Sequence, residues 1–310
     1  MTSKPRTAAV AAPTIRSRRR HAAPGGWAGW LYVLPALVMY GAFVLWPLIT
    51  SVRYSFYDWN GIRPATWVGF ANYERVLTDR DLIQPVIHAF ELVIFFTIIP
   101  VTLGLIAAAL IHGSARGRFG TVARTVLFVP QVIPLVAAGI AWKWAYASTG
   151  IVNQVLSSIG LGRLTRAWLA DFDLALPAVG FIGTWVLLGF CTVLLLTGIG
   201  KIDPSLYEAA RIDGAGVIGV FRSITVPSLI REIGVCVTVS MIAALSSFDI
   251  IYVTTVGGPG TETMVPGVLI YRLAFAERNI GLASAMAVVL MLLVVVCVLA
   301  IQRLMRGDDA

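Results

Sequence analysis

Long apolar runs separated by shorter polar segments set the organisation of this 310-residue chain. A bilayer core of about 30 Å needs about twenty helical residues at 1.5 Å each. Runs of that length centre on residues 27–51, 87–111, 123–146, 174–198, 231–254 and 280–303. The pattern predicts an all-α, polytopic membrane protein with six transmembrane helices. The third run contains Pro130 and Pro134, so its backbone is expected to kink where other protein segments re-satisfy the freed groups. Between the fourth and fifth runs lies a longer polar interruption, 201–230, within a loop of 199–230. A connector between spans needs only a few residues, so a segment of this length is expected to have structure and a task of its own.

That interruption contains helix signals. Asp203 followed by Pro204 reads as an N-cap and a first helical position. Ala209 and Ala210 are good helix formers, and Gly214, flanked by Ala215 and Gly216, is placed to end a first helix in a left-handed turn. A second helix is predicted from Val217 to Ser223, stopping before Pro227, with Asp213 expected to cap it through its side chain. Leu206, Tyr207, Ile212, Val217, Val220, Phe221 and Ile224 give both arms apolar surface. The segment reads as a helix-turn-helix docking element.

Composition supports the membrane class. Hydrophobic residues make up 58%, charged residues 13%, and mean hydropathy is +0.83. The net charge of +8 does not indicate nucleic acid, because the basic residues are shared among the segments between apolar runs. With the N-terminus inside, the inner segments hold Lys4, Arg6, Arg16, Arg18, Arg19, Arg20, Arg116, Arg118, Arg124, Lys201, Arg211, Arg222, Arg231, Arg303 and Arg306. The outer segments hold nine of the 24 basic residues. The bias predicts both termini, and the 199–230 loop, on the cytoplasmic side. Residues 1–26, Pro/Ala-rich and basic, read as a disordered cytoplasmic tail preceding a permease domain at 27–306. A signal peptide is the rival reading of the tail. The uncharged run that follows is long enough to span, which favours a retained first helix. Cys191, Cys236 and Cys297 fall within apolar runs and suggest neither a disulfide framework nor a metal set. His21, His88 and His112 are scattered.

Glu208-Ala209-Ala210, then Gly214, then Ile224 and Val226-Pro227, resembles the EAA motif of binding-protein-dependent ABC importers, with Val226 where leucine is usual. Phe70-Ala71-Asn72-Tyr73 in the first outer segment is similar to a characteristic segment of that family. Leu127-Phe128-Val129-Pro130 through Trp142, Phe248-Asp249-Ile250-Ile251-Tyr252 and Gly257-Gly258-Pro259 resemble sugar permeases of the maltose and glycerol-phosphate type. The resemblance covers roughly residues 28–303 and implies the type I ABC importer permease fold. It also implies a second homologous permease subunit, two ATPase domains holding ATP and Mg, and an extracytoplasmic solute-binding (lipo)protein. The 199–230 loop would then be the coupling helix seated on the ATPase. Tyr207, Glu208, Ala209, Ala210, Asp213, Gly214, Ala215 and Pro227 would carry that contact, Glu208 through polar or ionic contact.

No Gly-x-x-x-x-Gly-Lys-Ser/Thr occurs in the sequence, so the chain is expected to bind no cofactor and to leave ATP hydrolysis to a partner. No Gly-x-Ser-x-Gly or Cys–His arrangement suggests a membrane hydrolase. A stand-alone channel or secondary transporter would need an inverted repeat and an ion site, and no internal repeat is visible. Sugars are held by aromatic faces and hydroxyl-matching groups. Candidates for the substrate path are Trp142, Trp185, Ser246, Ser247, Asp249 and Tyr252, with Trp144 and Tyr146 nearby. Asp249 stands out because an ionisable group inside a span is costly. Its other reading is a hydrogen-bonded bundle residue near the interface. A phosphorylated polyol or other non-sugar solute is the alternative cargo, disfavoured by the lack of an arginine at the centre of any span. The aromatic residues of 52–86 read as interfacial anchors or a landing surface for an external partner. The segment 255–279, rich in glycine and proline, reads as a turn-rich loop without helix or strand.

Overall fold

The computed structural model describes residues 26–114 and 118–306. Residues 1–25 of the expected tail, and Arg116 of the inner basic set, lie outside them. The chain divides into two units, 1–49 and 50–310.

In the first unit, α1 (Gly26–Tyr40) passes through a π-turn (Gly41–Leu45) into the beginning of α2 (Trp46–Tyr54). Its large apolar side chains, among them Trp30, Leu31, Tyr32 and Phe43, are exposed. A helix apolar on all sides whose described side chains are this exposed suits a hydrocarbon surround.

The second unit is almost wholly helical. A two-stranded antiparallel hairpin, β1 (Tyr57–Asp58) with β2 (Thr66–Trp67), opens it. Then come α3 (Ala71–Thr78) and α4 (Arg80–Val93), which runs through a π-turn (Ile94–Ile98) into α5 (Ile99–Ser114). Next are α6 (Arg118–Val132), α7 (Leu135–Ala145), α8 (Ile151–Ser158) and α9 (Ala175–Ile199). The loop of interest holds α10 (Pro204–Ile212), α11 (Val217–Val220), a π-turn (Phe221–Thr225) and α12 (Val226–Ser228). The chain closes with α13 (Ile230–Leu245), α14 (Asp249–Thr254), α15 (Pro266–Tyr271) with its π-turn (Arg272–Ala276), and α16 (Ile280–Arg306).

Among the described residues, four helices are long and apolar enough to cross a membrane, or up to six if each bent pair is one span. The most buried is α9, which α5 and α6 flank. Its Gly183 lies against the Phe96 ring so closely that a Cβ would collide with it. Two apolar cores result. One, around Phe96, Ile182, Ile250 and Met286, joins α4, α9, α14 and α16. The other, around Leu195, Ile199, Leu229 and Cys236, lies towards the opposite end of α9.

Several expectations change. The kink in the third run is a corner: Gly120–Val132 and Leu135–Ala145 meet at 100°. Pro134 has no N–H to donate and holds Ile133 away from helical geometry, so the helix stops and restarts. The fifth run is not one helix, since α13 ends at Leu245 and α14 begins at Asp249. The second is longer than expected, Arg80–Gly113. The segment 255–279 contains helix at 266–276, because Pro266 occupies a first-turn position where a missing N–H costs nothing.

The outer segment 52–86 is a clasp. Asn72 is buried and donates to the Ser55 and Tyr57 carbonyls at 2.9 Å each, and the Ser55 and Tyr73 hydroxyls lie 2.5 Å apart. Trp67 and Phe70 remain exposed. The Trp59 carbonyl accepts from the Ile280 and Gly281 amides, which fixes the clasp to the start of α16. His88 is also structural. Its Nδ1 is 2.9 Å from the Met264 carbonyl, and its Nε2 is 3.1 Å from the Gln84 amide nitrogen. A carbonyl only accepts, so Nδ1 carries the proton and Nε2 accepts.

Candidate functional site

The 199–230 loop is a hairpin of two helices. Asp203 caps α10 by accepting from the Ser205 amide at 2.9 Å, and Pro204 occupies the first turn. That amide bond, with a hydrogen bond from the Ser205 side chain, holds the Asp203 carboxyl below its ordinary value. At the far end, the Ala215 amide reaches the Ala210 carbonyl at 2.9 Å and the Gly214 amide reaches Arg211 at 3.1 Å. This pair of bonds is the Schellman closure, with Gly214 at φ +75° in the left-handed position it requires. Tyr207, Glu208, Ala209 and Ala210 therefore all sit on α10, and Asp213 is its last half-helical residue.

The second arm departs from expectation. Its N-cap is Gly216, with no side-chain cap, so Asp213 does not cap it. The Schellman turn consumes Gly214 and Ala215 before the next helix can begin. The arm also runs past Val226 and Pro227 to Ser228, and turns by 70° into α13. The π-turn at 221–225 makes this possible. The Val226 amide bonds to Phe221 five residues back, which shifts the ladder just ahead of a ring that lacks an N–H.

Among the described residues, one contact links the arms and another braces their base. The Tyr207 hydroxyl is 3.3 Å from Thr225 Oγ1, with Thr225 buried. At the base, Lys201 Nζ lies 3.3 Å from Glu232 Oε1. A cavity of about 1080 Å³ opens beside this base, lined by Asp203, Leu206, Pro227, Arg231, Glu232 and Met305 among others. The tip is apolar and exposed: Ile212 86%, Val217 87% and Ile218 82%. Glu208, Ala209 and Gly214 are exposed as well, while Ala210 and Ala215 are half-buried. Sequence reading passed over Thr225, although it lies inside the motif, and Glu232. The Lys201–Glu232 contact joins positions 31 apart in the chain, and no local periodicity announces it.

The substrate-path candidates fall into two groups. Trp142 on α7 meets Trp185 on α9 edge-on, centroids 5.6 Å apart, and Tyr146 lies 5.1 Å from Trp142. The other four gather at the α13–α14 break. Ser246 and Asp249 are exposed there, Tyr252 is half-buried, and Ser247 is buried with its hydroxyl unpaired. The two groups are neighbours, since α7 packs against α14 at Gly139 and Val253, and Lys143 Nζ donates to the Val253 carbonyl at 3.4 Å.

The chain is similar to several known proteins. A probable ABC transporter permease protein of Bacillus subtilis (strain 168), YurN, is 35% identical over 266 residues, covering 85% of this chain and 91% of that one. A diacetylchitobiose uptake system permease protein of Streptomyces coelicolor, NgcF, is 33% identical, covering 88% of this chain and 81% of that one. A subunit in the crystal structure of a bacterial ABC transporter that imports the acidic polysaccharide alginate superposes with a TM-score of 0.78 at 24% identity. That match covers 91% of this chain and 96% of the other, and shows a shared fold. The family of binding-protein-dependent transport system inner membrane components matches residues 100–306. With that match over more than half its length, the chain belongs to this family of ABC transporter permeases.

Proposed function

We propose that this chain forms half of the translocation path of an ATP-driven sugar importer and takes its drive through the 203–228 hairpin. The observation that carries the reading is the hairpin itself: internally braced, closed at Gly214, and presenting Ile212, Val217 and Ile218 bare. Apolar side chains this exposed at the tip of a cross-linked element suit a protein groove. The diacetylchitobiose relative and the aromatic and hydroxyl side chains of the path favour a sugar as cargo. The excess of lysine and arginine in the inner segments favours a cytoplasmic hairpin and cytoplasmic termini, on the side where ATP is available.

In this reading two ATPase domains close on ATP and Mg and move the hairpin as a rigid body. The bundle and a homologous second permease then switch between inward- and outward-facing states. ATP and a loaded extracytoplasmic binding protein bias that equilibrium. Glu208 meets the ATPase surface, and Ala209 and Ala210 allow close approach to it. The test is co-purification of the ATPase with Ile212→Asp/Val217→Asp. Capture should weaken about tenfold or more, as for loss of a buried hot spot, while the variant still inserts. Undiminished capture by an inserted variant would sink the docking assignment.

A further inference from the structure

Beyond the break in the fifth apolar run, four aromatic rings form a continuous row. Phe248 stacks on Tyr252 with centroids 5.0 Å apart and planes 19° apart. Tyr252 meets Tyr271 edge-on at 5.3 Å, and Tyr271 lies 5.1 Å from Phe275. The row joins two elements, α14 and the end of α15 with its π-turn. They are held together where Gly267 abuts the Ser247 carbonyl and Phe248 Cβ, so the rings are positioned by backbone packing. The far end is open, with Tyr271 40% and Phe275 73% exposed.

Beside the row stand polar groups that a lipid-facing surface would not carry. Asp249 and Tyr252 are three residues apart on α14 and share a side of it, and Ser246 and Asp249 are both exposed. An ionisable carboxylate is too costly to leave against hydrocarbon, so this side faces a hydrated space. Among the described residues, Arg272 is held by Glu277 at 3.1 Å and Lys143 lies against the Val253 carbonyl. Ring faces offer a surface to the C–H face of a pyranose, and a carboxylate and a hydroxyl accept from its O–H groups.

We propose that the Phe248–Tyr252–Tyr271–Phe275 row, with Ser246 and Asp249 along its edge, is a receiving surface for uncharged pyranose units at the outer mouth of the path. The proposal rests on the reading of the chain as a sugar permease in the orientation given above. It assigns Tyr271 and Phe275, which lie outside the spans read from the sequence, as residues that touch the cargo. Successive rings about 5 Å apart offer more than one face, which suits an oligosaccharide.

The experiment is saturation-transfer NMR on the assembled transporter in nanodiscs, with maltose, lactose and diacetylchitobiose as probes, alongside ATP-dependent uptake. Tyr271→Ala should weaken transfer to the C–H protons of a bound probe and lower uptake at sub-saturating sugar by about five- to tenfold, as loss of a stacking contact implies. Tyr271→Phe should restore both. Asp249→Asn should lower uptake with stacking signals retained. If the wild-type complex transports one of these sugars but Tyr271→Ala and Phe275→Ala bind and transport it as well as wild type, the receiving surface is refuted while the permease reading stands. Loss of assembly with the second permease in Tyr271→Ala, not restored by phenylalanine, overturns it in favour of a packing role. A wild-type complex that neither binds nor transports any of the three sinks both readings.

Discussion

At Gly214 the backbone holds φ +75°, and nothing lies within 4 Å of where a Cβ would stand. Space is therefore free, and only backbone strain opposes a side chain. A left-handed conformation costs a β-branched residue about 1–2 kcal/mol, and less for asparagine, which bonds locally. Gly214→Val should lower ATP-dependent uptake in membrane vesicles more than Gly214→Asn, at equal amounts of inserted protein. Equal uptake by the two variants would show that the angle between the arms is not set there. Gly214, Asp203 and Pro204 were legible because their roles are local. Asp213 was misread for the same reason. A side chain of the right type stood at a plausible spacing, but the two bonds of the Schellman turn moved the next helix start to Gly216–Val217. Asn72 lies in a segment with a family likeness, but neither its role nor that of His88 was readable, since their partners, Tyr57 and Met264, are fixed by packing between distant segments.

At the scale of elements, the hairpin is a lever only if its arms move together. The Tyr207–Thr225 contact crosses between them at 3.3 Å, and Thr225 is 4% exposed. Thr225→Val keeps the shape and leaves the tyrosine hydroxyl without that partner. A net contribution of about 0.5–1.5 kcal/mol is expected from such a bond. A double-mutant cycle of Tyr207→Phe and Thr225→Val, read by thermal unfolding of the purified complex, should therefore show coupling of that order. Additive effects would show that the arms are held by other contacts. Periodicity and caps gave the existence of both arms. They did not give the length of the second, because the π-turn that carries it past Pro227 has no local sequence mark. The 100° corner at Pro134 was visible as a proline but not as an angle, which is set by what α7 packs on, namely α14.

For the molecule as a whole, the arrangement has a sidedness. The Tyr252–Tyr271 row, on α14 and α15, and the Asn72 clasp lie at one end of the bundle, and the hairpin at the other. In a variant with Cys191, Cys236 and Cys297 replaced by alanine, a single cysteine at the exposed Ser205 should react with a membrane-impermeant maleimide only in inside-out vesicles. Labelling of intact cells at that position would reverse the topology and sink the proposed docking of the hairpin. The two apolar cores, separated along α9, are a property of this scale alone. The buried residues Leu92, Ile182, Ile251 and Met286 come from four different apolar runs.

Hydrophobic run length determined that this is a bundle of membrane helices, because each helix satisfies its own backbone in lipid and needs only about twenty apolar residues to do so. The cap and turn residues of 203–216 likewise fixed the first arm of the hairpin and its closure, since those bonds form within one or two turns. Tertiary structure decided what happens inside the runs: where the third and fifth break, which rings line up across α14 and α15, and which charge 31 residues away steadies the hairpin base. The breaks and the ring row depend on contacts between segments that are all equally apolar, and the ion pair on a fold that brings distant positions together, so neither leaves a periodic trace in any one segment.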